Sequence, residues 1–470
     1  MNLHTYFTKH IYWPLTQKIK GEYASRALEE LSESQWKSKD KLLSNQWQHV
    51  IQTVNKAVRE VPYYRQSYTD IGWEANKKAF SYEDFLNFPK VEKESLRDNI
   101  TEFLNPNYRG RVTNGRTSGS TGQSLTLYYD RENESYSEAG RWRAKDWWGV
   151  SPGSRQVSIW GRPFTGYKDR LSQKVKSYFM NTLLFSAFDL NKETLENIWK
   201  KISRFKPTII YGYPSAIFPL SVYLKENKIQ ANNLGLKVIM TTAETITPQQ
   251  RSLIENVFGC KTANEYGCSE TGGFVYECPH GSWHVSSELT FIEVLDREGN
   301  PQPPGQSGEI VITHLRNNYM PLIRYRVGDI GALLSGVCDC GRGLPLMEVS
   351  VTKESDIFRL ADGRTYSSEI FDYINLAVMK VHPDSILQFK VVQKTIDSFR
   401  VEIVAGSNTV DHGERLFKRL MKEQLGEKIK VQIKRVPCIE REPSGKLKYF
   451  ISDANKVSEI PAMIHIPCSE

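Results

Sequence analysis

The sequence predicts an α/β protein in which a large domain, built on mainly parallel sheets, precedes a small α+β domain. Three observations support this prediction. Strand-like and helix-like segments alternate between residues 112 and 275, alternating apolar residues punctuated by Gly and Pro occupy 285–350, and a separate α+β pattern follows residue 351. Alternation of strands with helices is typical of a parallel sheet covered by helices. The length of 470 residues is sufficient for two or three domains of about 150 residues each.

The first 105 residues are predicted to be mainly helical. Apolar side chains recur at helical spacing in this region, and Val61-Pro62 ends the clearest helix. The residues of its stripe are Trp47, Val50, Ile51, Val54, Ala57 and Val58.

The region between residues 112 and 275 contains strand patterns at Gln156–Trp160, Pro207–Tyr211 and Leu236–Thr242. Helical stripes separate them, at Leu195, Ile198, Trp199 and Ile202 and at Leu253, Ile254, Val257 and Phe258. Because ligands of parallel sheets lie at the carboxyl ends of the strands, we expect a ligand beside the polar residues at these ends. Those residues are Tyr211, Gly212, Tyr213, Ala243, Glu244, Glu265, Tyr266 and Gly267.

Antiparallel strands are predicted at Leu289–Leu295, Glu309–Leu315 and Ile330–Leu334. The pattern after residue 351 indicates a small α+β unit. Its expected elements are a turn at Asp362-Gly363, a helix after Ser367, strands near 387–393 and 399–405, a helix from about 411 and a strand at 429–435.

The net charge of +8 arises from 62 Lys and Arg against 54 Asp and Glu, a small surplus for this length. This small positive charge is compatible with an anionic small-molecule ligand such as a nucleotide, whereas a nucleic-acid-binding protein would show a concentrated basic stripe. No segment approaches the roughly 20 apolar residues that span a bilayer, and residues 1–20 lack a secretory apolar region. We therefore expect a cytoplasmic protein with no transmembrane segment and no nucleic-acid partner.

Lys9, Lys18 and Lys20 flank the apolar run Ile11–Leu15 near the N-terminus. This segment is compatible with a helix that lies on a membrane surface. A first helix that packs its aromatic residues on the body of the protein is the favoured interpretation, because apolar stripes usually belong to the core.

A loop rich in glycine and hydroxyl side chains stands between Asn114-Gly115 and the alternating run Leu125–Tyr129. Its residues are Thr117, Ser118, Gly119, Ser120, Thr121 and Gly122. Glycines allow backbone N–H groups to form a concave nest and hydroxyl groups add donors, which suits the oxygens of a triphosphate. The loop is not a Walker motif, because no Lys follows its second glycine. A flexible connecting loop is the alternative, and the loop alone leaves both interpretations open.

Three charged residues are candidates for chemistry. Glu270 follows Asn264–Ser269 in a glycine-flanked loop, where a carboxylate suits Mg²⁺ held against phosphate. Asp329, after Gly328, is a candidate acceptor for ribose hydroxyl groups. Lys446 follows a glycine turn, and domain movement can bring such a lysine to a developing charge. Each residue taken alone is also compatible with an exposed side chain that has no function.

The order of these motifs resembles the adenylate-forming superfamily of acyl-CoA synthetases, adenylation domains and luciferases. The series runs from the hydroxyl-glycine loop through Ala243-Glu244, Tyr266–Glu270 and Gly328-Asp329 to Pro443–Lys446. Within the superfamily the chain is similar to the phenylacetate–CoA ligase family, especially its CapK-like members found among capsular-polysaccharide genes. The similarity covers nearly the whole chain, including Gln46–Arg65, which resembles the helical entry of that branch.

The resemblance implies a large adenylate-forming N-terminal domain and a C-terminal lid. Residues 1–110 are the expected helical region, 111–350 the nucleotide- and acyl-binding core that forms one domain with it, and 351–470 the mobile lid.

The resemblance also implies a role for each motif. Thr117–Gly122 would close over the β- and γ-phosphates of ATP, and Glu270 would hold Mg²⁺. Asp329 would bind the ribose, and Lys446 would bridge the substrate carboxylate and the α-phosphate. The residues expected to line the adenine are Ala243, Glu244, Glu265, Tyr266 and Gly267.

The implied function is that of an ATP-dependent, AMP-forming ligase. The enzyme would activate a small carboxylic acid as its acyl-adenylate and, after the lid rotates, transfer the acyl group to a thiol such as coenzyme A or a carrier protein. Transfer to an amine or hydroxyl of a sugar or amino acid is the second interpretation. A non-catalytic nucleotide-binding homologue is the third, and the joint presence of Lys446, Glu270 and Asp329 argues against it.

The acyl pocket is expected near Trp160-Gly161, Tyr211–Pro214, Ala243 and Gly267–Gly273. Aromatic residues at these positions do not identify the acid, and the oligomeric state, monomer or homodimer, is also left open.

The chain departs from the family at the hinge. The family usually carries Gly-Arg-x-Asp-Asp there, whereas this chain has Val351–Ile357, with Lys353 in place of the Arg and Asp356 as an acid. Arg342 is a candidate substitute contact with the nucleotide. The departure leaves open how the lid rotates and whether coenzyme A is the acceptor.

Two Cys/His segments, Glu277–His284 and Cys338–Arg342, predict the halves of a zinc site. The expected ligands are Cys278, His284, Cys338 and Cys340, three thiolates and an imidazole, which is a common structural zinc set. The spacing matches no standard zinc finger, so free thiols are the alternative. Members of the family branch carry zinc at matching positions, which favours structural Zn²⁺. His280 is an alternative to His284, and Cys268 is a reserve ligand.

Overall fold

The computed structural model describes residues 3–73, 80–116, 125–160, 174–187, 190, 192–353, 357–362, 365–382, 385–406, 410–440 and 447–454. Its helices are α1 (Leu3–Phe7), α2 (Trp13–Lys20), α3 (Ala24–Ser34), α4 (Lys39–Glu60), α5 (Pro62–Asp70), α6 (Tyr82–Leu86), α7 (Lys93–Asp98), α8 (Arg131–Asp146), α9 (Lys192–Phe205), α10 (Pro214–Glu226), α11 (Pro248–Phe258), α12 (Glu369–Val381) and α13 (Val410–Leu425). A π-helical turn, Thr8–Tyr12, joins the first two. Within the described ranges, no helix combines the length and the hydropathy needed to cross a membrane.

An eleven-stranded sheet forms the centre of the molecule, in the order β10-β11-β12-β13-β9-β8-β7-β6-β5-β3-β4. Its strands are β3 (Gln156–Trp160), β4 (Thr182–Ser186), β5 (Ile209–Gly212), β6 (Val238–Thr242), β7 (Thr262–Cys268), β8 (Gly272–Glu277), β9 (Trp283–Val285), β10 (Thr290–Leu295), β11 (Gly308–His314), β12 (Tyr325–Leu334) and β13 (Leu346–Lys353). The pairs from β4 to β7 are parallel, and the pairs from β7 to β10 are antiparallel. The α/β class with a mainly parallel part and an antiparallel part is therefore confirmed.

The smaller sheets complete the fold. A separate hairpin consists of β1 (Val112–Arg116) and β2 (Thr126–Asp130). The C-terminal part contains the short pair β14 (Ile357–Arg359) and β15 (Thr365–Ser367), and a four-stranded sheet of order β18-β17-β16-β19. The strands of that sheet are β16 (Ile386–Thr395), β17 (Ser398–Ala405), β18 (Lys430–Arg435) and β19 (Phe450–Ser452).

The predicted helix near residue 50 is present as α4, and its apolar stripe faces the core. Ser38 caps this helix by accepting a hydrogen bond from the Lys41 backbone N–H. The stripe packs on the antiparallel strands, so the helical region and these strands share one core. The buried members of the stripe are Val50, Ile51, Val54, Ala57 and Val58.

The expected loop at residues 264–272 is mostly a β-hairpin, which corrects the sequence-based interpretation. Residues up to Cys268 belong to β7, and β8 begins at Gly272. Its polar and glycine-rich composition suggested a loop, but the glycines serve the close approach of the two strands. A Cβ on Gly267 would lie 2.3 Å from the Gly272 carbonyl oxygen. Glu270 keeps its expected place in the turn between the strands.

The C-terminal region has its own hydrophobic core, which runs from Phe358 to Phe450. The predicted helices and strands of this region are present as α12, β16, β17, α13 and β18. Phe358, Phe371 and Phe399 pack against one another at its centre, with ring centroids 5.3–6.0 Å apart.

Arg324 ties the N-terminal helices to the antiparallel strands. Its guanidinium is 1% exposed and forms an ion pair with Glu293 at 3.0 Å. The same group donates to the carbonyl oxygens of Leu86 and Phe88 at 2.6 and 2.7 Å. Buried charges are stable only when they are paired and hydrogen-bonded, and this arginine meets both conditions.

We predict that Arg324→Met lowers the free energy of unfolding by about 3–5 kcal/mol, because it leaves the buried carboxylate of Glu293 without its ion-pair partner. Urea denaturation followed by fluorescence measures the change. The double variant R324M/E293L should recover part of the loss, since only the backbone carbonyl groups of Phe85, Leu86 and Phe88 then lack this donor. Arg326→Ala, which removes a more exposed ion pair with Glu92 and Glu309, is the control and should cost at most about 1 kcal/mol. An R324M variant as stable as this control would contradict the prediction.

Candidate functional site

The carboxyl ends of β5, β6 and β7 meet at one edge of the sheet. Thr242, the last residue of β6, lies opposite Glu265 in the parallel ladder. Ala243 follows with a φ of 68°, in the left-handed region that non-glycine residues rarely adopt. Backbone strain of this kind persists where the surrounding structure enforces it, and it concentrates at functional sites. The edge predicted from the strand pattern is therefore present.

Glu244 connects this edge to the C-terminal domain. Its Oε1 accepts hydrogen bonds from the Ser215 hydroxyl at 3.0 Å and from the Leu447 backbone N–H at 2.8 Å. Its Oε2 accepts the Ser215 backbone N–H at 3.1 Å. Lys446 itself lies outside the described residues, but the residue that follows it is bonded to the carboxyl end of β6.

Glu270 lies in the β7–β8 turn with its side chain almost fully buried. The Tyr325 hydroxyl donates to its Oε1 at 2.9 Å, and Lys93 Nζ lies 3.5 Å from the same oxygen. The second oxygen, Oε2, accepts no hydrogen bond from the described part of the chain. The carboxylate is therefore fixed by one oxygen and keeps the other available.

Asp329 lies on β12 and approaches β7 through Tyr266, whose hydroxyl donates to its Oδ2 at 2.8 Å. Burial, together with the charge of Asp329, raises the pKa of Tyr266 well above its usual value, so this hydroxyl stays a donor. Asp329 and Glu270 both act on the pKa of Tyr266 and of Cys268. The two acids predicted from separate motifs are therefore neighbours.

The hydroxyl-glycine loop, residues Thr117–Gly122, lies outside the described residues, but its flanks are described. Arg116 and Thr126 are paired across the β1–β2 hairpin, so the loop connects these two strands. The Tyr129 hydroxyl on β2 donates to the Ser269 carbonyl oxygen at 2.6 Å. The hairpin that carries the loop is thus bonded to the turn that carries Glu270.

The strand ends also carry a group of side chains that the sequence analysis missed in part. Trp160 stacks on Tyr211 and Tyr213 with centroids 5.6 and 4.5 Å apart, where the acyl pocket was expected. Arg141 and Lys145 of α8 approach this group, and neither was predicted. Their signal in the sequence is a pair of basic residues four positions apart in a helix whose neighbouring positions, Trp142 and Ala144, are buried.

The four predicted zinc ligands lie together. The ligand atoms of Cys278, His284, Cys338 and Cys340 are all within 4.8 Å of one another. The Sγ atoms of Cys278 and Cys338 are 3.7 Å apart, and Cys340 Sγ is 3.4 Å from His284 Nε2. Tetrahedral zinc with Zn–S bonds of about 2.3 Å places two sulfurs about 3.8 Å apart, so the residues fit this ion.

The reserve ligands do not take part in this cluster. His280 is exposed, and Cys268 contacts Thr271 in the β7–β8 turn instead.

Arg342 does not take the position expected of a nucleotide contact. Its Nε donates to Gln35 at 3.1 Å, and its guanidinium lies over the rings of Trp36 and Trp147 at 5.0 and 4.7 Å. These contacts hold it beside the cysteine cluster, because it follows Cys340 by two residues. Nothing in this placement supports a role at the adenylate site.

Comparison with known proteins agrees with this geometry. Residues 181–317 match the family model described as AMP-binding enzyme, and residues 368–453 match the CapK C-terminal domain. Protein CapK of Staphylococcus aureus is 26% identical over 377 residues, covering 78% of this chain and 79% of that protein. The phenylacetate–coenzyme A ligase of Thermus thermophilus is 24% identical over 435 residues, covering 90% and 93%.

A solved structure shows the same fold. 2-Hydroxyisobutyryl-CoA ligase, in the postadenylation state in complex with R3-HIB-AMP, superposes with a TM-score of 0.67 at 19% identity, covering 86% of this chain and 88% of that one. The chain therefore has the fold of this ligase, and its residues 181–317 are similar to AMP-binding enzymes. Its sequence is similar to CapK and to the phenylacetate–CoA ligases, as its motifs predict.

Proposed function

We propose that this enzyme activates a small carboxylic acid with ATP as the acyl-adenylate and then transfers the acyl group to a thiol acceptor, coenzyme A or a carrier protein. The observation that carries the proposal is the hydrogen bond from the Leu447 N–H to Glu244. It supports an arrangement in which Lys446 reaches the strand ends where Glu270 and Asp329 converge.

The nucleotide site is assigned from these neighbours. Asp329, oriented by Tyr266, accepts hydrogen bonds from the ribose hydroxyl groups. Ala243, Glu244, Tyr266 and Gly267 form the edge against which the adenine lies, whereas Glu265, also expected there, accepts the Tyr211 hydroxyl on the side of α8. Thr117–Gly122, on the hairpin bonded to Ser269, covers the β- and γ-phosphates.

Glu270 has the properties of a magnesium ligand. Mg²⁺ takes one or two carboxylates together with phosphate oxygens, and Glu270 offers one oxygen that no described residue occupies. When bound, the ion would neutralise phosphate charge. Tyr325 and Lys93 hold the carboxylate in place through its other oxygen.

The chemistry requires positioning and charge compensation more than a nucleophilic side chain. A carboxylate oxygen attacks the α-phosphorus, the bond to the β-phosphate oxygen breaks, and pyrophosphate leaves. The acceptor thiolate then attacks the acyl carbon, and AMP leaves. Lys446 is assigned to the first step, where its ammonium lies between two anions and stabilises the charge that develops.

The hinge lies beside the ribose carboxylate. Lys353, the position that departs from the family, pairs with Asp329 between β13 and β12. Glu354, Ser355 and Asp356 lie outside the described residues. We propose that lid rotation begins directly after this strand pair.

We predict that Lys446→Ala lowers acid-dependent pyrophosphate release by at least about 100-fold, because one preorganised charge is lost from the transition state. Glu270→Gln should produce a similar loss that added Mg²⁺ only partly restores. A panel of carboxylic acids with wild type and variants measures both effects.

Lys448→Ala is the matched control, two positions away in the same segment, and should keep wild-type activity. A wild-type enzyme that releases no pyrophosphate with any acid would favour a non-catalytic nucleotide-binding homologue. Once an acid is found, adding coenzyme A, amino acids or amino sugars in turn identifies the acceptor. Product formation with an amine and none with a thiol would replace the proposed acceptor by the amide alternative.

We propose that the cysteine cluster holds one structural Zn²⁺. Cys278 follows β8, His284 lies on β9, and Cys338 and Cys340 lie between β12 and β13. A metal held by three thiolates and an imidazole has no open position for substrate. It therefore ties two connections of the antiparallel sheet together.

We predict one zinc ion per chain in the purified wild-type enzyme, measured by inductively coupled plasma mass spectrometry. Cys278→Ser should remove the metal and lower the melting temperature, because metal binding contributes to folding. Cys438→Ser, at an exposed cysteine outside the cluster, should change neither. Wild-type protein without zinc would show that these are free thiols.

A further inference from the structure

A group of charged side chains lies between α8 and the sheet, beside Gln156 at the amino end of β3, Tyr211 of β5 and Glu265 of β7, and the roles assigned above do not use it. Arg141 and Lys145 lie four residues apart, which places them on one face of α8. Lys145 Nζ donates to the Gln156 side-chain oxygen on β3 at 2.9 Å. The same ammonium lies over the Tyr211 ring of β5, 4.9 Å from its centroid.

Neither cation has an ion-pair partner among the described residues. Lys145 is 6% exposed, and its hydrogen-bond partner is a neutral amide. An ammonium buried in this way is costly unless an anion accompanies it. Arg141 makes no hydrogen bond to any residue that the structure describes, and its side chain is exposed.

Glu265 is the acid that faces the two cations. Its Oε1 accepts the Tyr211 hydroxyl at 3.2 Å, and its Oε2 is buried without a donor. Burial raises the pKa of this carboxyl, while Arg141 and Lys145 lower it. Two cations thus face one carboxylate, so one further negative charge would balance the charge of the group.

The group lies next to the adenylate site. Successive residues of a strand point to opposite faces, so Glu265 points towards α8 while Tyr266 reaches Asp329. Trp160 and Tyr211 form the wall at this point. An acid whose carboxylate lies at the strand ends can extend its far end past these rings towards Lys145.

We propose that the substrate acid carries a second anionic group, which Arg141 and Lys145 bind at the far end of the acyl pocket. The inference rests on the proposed function, because it assumes that the acid enters at the strand ends. Glu265 orients Tyr211 and limits the group to one additional charge. The two cations are specificity-determining residues, since they touch the substrate away from the reacting carboxylate.

The test compares acids of matched size in pyrophosphate release and in calorimetric binding. Glutarate is set against valerate and δ-aminovalerate, and terephthalate against p-toluate and p-aminomethylbenzoate. Wild type should favour the dianionic member at least tenfold in kcat/KM. Arg141→Gln and Lys145→Gln should each remove this preference without weakening the monoanions, whereas Lys201→Gln, an exposed control on α9, should keep it.

The outcomes separate this inference from the proposed function. Dianionic acids that bind but release no pyrophosphate would support the pocket and contradict the ligase. The inference would be overturned if wild type preferred the monoanionic acids or the amino acids, or if both variants kept the preference for dianions. The proposed ligase activity would not be affected by either result. The absence of binding by any dianionic acid would also overturn it. Arg141→Gln, at an exposed position, keeps the test valid if Lys145→Gln does not fold.

A pH profile provides a second readout. Burial lowers the pKa of Lys145 to about 8, with Glu265 and Glu138 opposing it and Arg141 adding to it. The amino group of Lys145 is protonated below that pH and loses its positive charge above it. KM for glutarate should therefore rise as the pH increases through about 8. KM for valerate should not, and Lys145→Gln should abolish the difference. Tyr211 stays neutral in this range, because burial raises its pKa.

The N-terminal helices α1 and α2 turn a polar side towards the rest of the protein. Thr8 is buried and donates to the Phe179 carbonyl oxygen at 2.6 Å, and Gln17 donates to Glu138 at 3.0 Å. The opposite side carries an exposed apolar residue at every fourth position, with Leu3 84% and Ile19 76% exposed. The members of this apolar ridge are Leu3, Phe7, Ile11, Leu15 and Ile19.

The aromatic residues of this segment pack on the body as expected, since Trp13 is buried and Tyr12 stacks on Phe179. The aliphatic residues of the ridge stay exposed. Contiguous exposed apolar surface marks an interaction site. Residues 1–21 contain no acidic side chain, and Lys9 and Lys18 accompany the ridge, whereas Lys20 pairs with Glu22 at 3.5 Å. An apolar face with flanking cations and no acids complements an anionic lipid surface.

We infer that the apolar ridge inserts into the headgroup region of an anionic membrane. The full-length enzyme is sedimented with vesicles of phosphatidylcholine alone or mixed with phosphatidylglycerol. Binding should require the anionic lipid and weaken with added salt. The double variant I11N/L15N should bind at least tenfold less, because it removes two apolar anchors, whereas Val337→Asn, at an exposed apolar residue elsewhere, should bind like wild type.

Failure to sediment with anionic vesicles would overturn the membrane assignment, as would undiminished binding by I11N/L15N. Light scattering tests the alternative, in which a second copy of the chain covers the ridge. A wild-type dimer that I11N/L15N converts to a monomer, without vesicle binding, would make the ridge a contact between two copies of the chain.

Discussion

The ion pair between Arg251 and Glu277 is the interaction on which the geometry of the site depends. The two terminal nitrogens of the guanidinium donate to the carboxylate, at 3.0 and 2.8 Å, and Glu277 also accepts the Asn264 N–H at 2.9 Å. Arg251 belongs to α11, Asn264 to β7 and Glu277 to the end of β8. The pair therefore fixes the strand at which the sheet changes from parallel to antiparallel, and bidentate pairs of this kind also fix orientation.

The position of β7 divides the site in two. Glu265 and Tyr266 are consecutive, and the pleat sends one towards α8 and the other towards Asp329 on β12. The nucleotide and the far end of the acid can therefore be recognised by neighbouring residues without competing for the same space. Cys278 directly follows Glu277, so the predicted zinc ion would hold β8 at the same end as the ion pair.

Much of the fold follows from local sequence patterns. The parts that local patterns do not predict depend on long-range contacts. Apolar periodicity predicts α4, β3, β6 and the C-terminal elements, because each has one buried face. It does not predict β7 as a strand, since its pairing uses glycines that look like a loop. The ligand cluster at Cys278 was predictable from residue type, whereas the placement of Arg342 against Trp36 and Trp147 was not. The pairing of Lys145 with Gln156 and Tyr211 also depends on how α8 packs on the sheet, which no local pattern encodes.

The same packing explains why nucleotide binding and lid position should be coupled. Asp329, assigned to the ribose, is paired in the sheet with Lys353, where the chain leaves the large domain. Glu244, proposed for the adenine edge, is bonded to Leu447 of the C-terminal domain. In the proposed assignment, the lid is thus attached at two points to residues of the nucleotide site. A change in the ribose or adenine contacts shifts one of these attachments, and rotation of the lid must break the bond at Glu244 while the strand pair at Asp329 remains. We therefore expect the proposed hinge to function without the arginine usual in the family, provided that the β12–β13 pair stays intact.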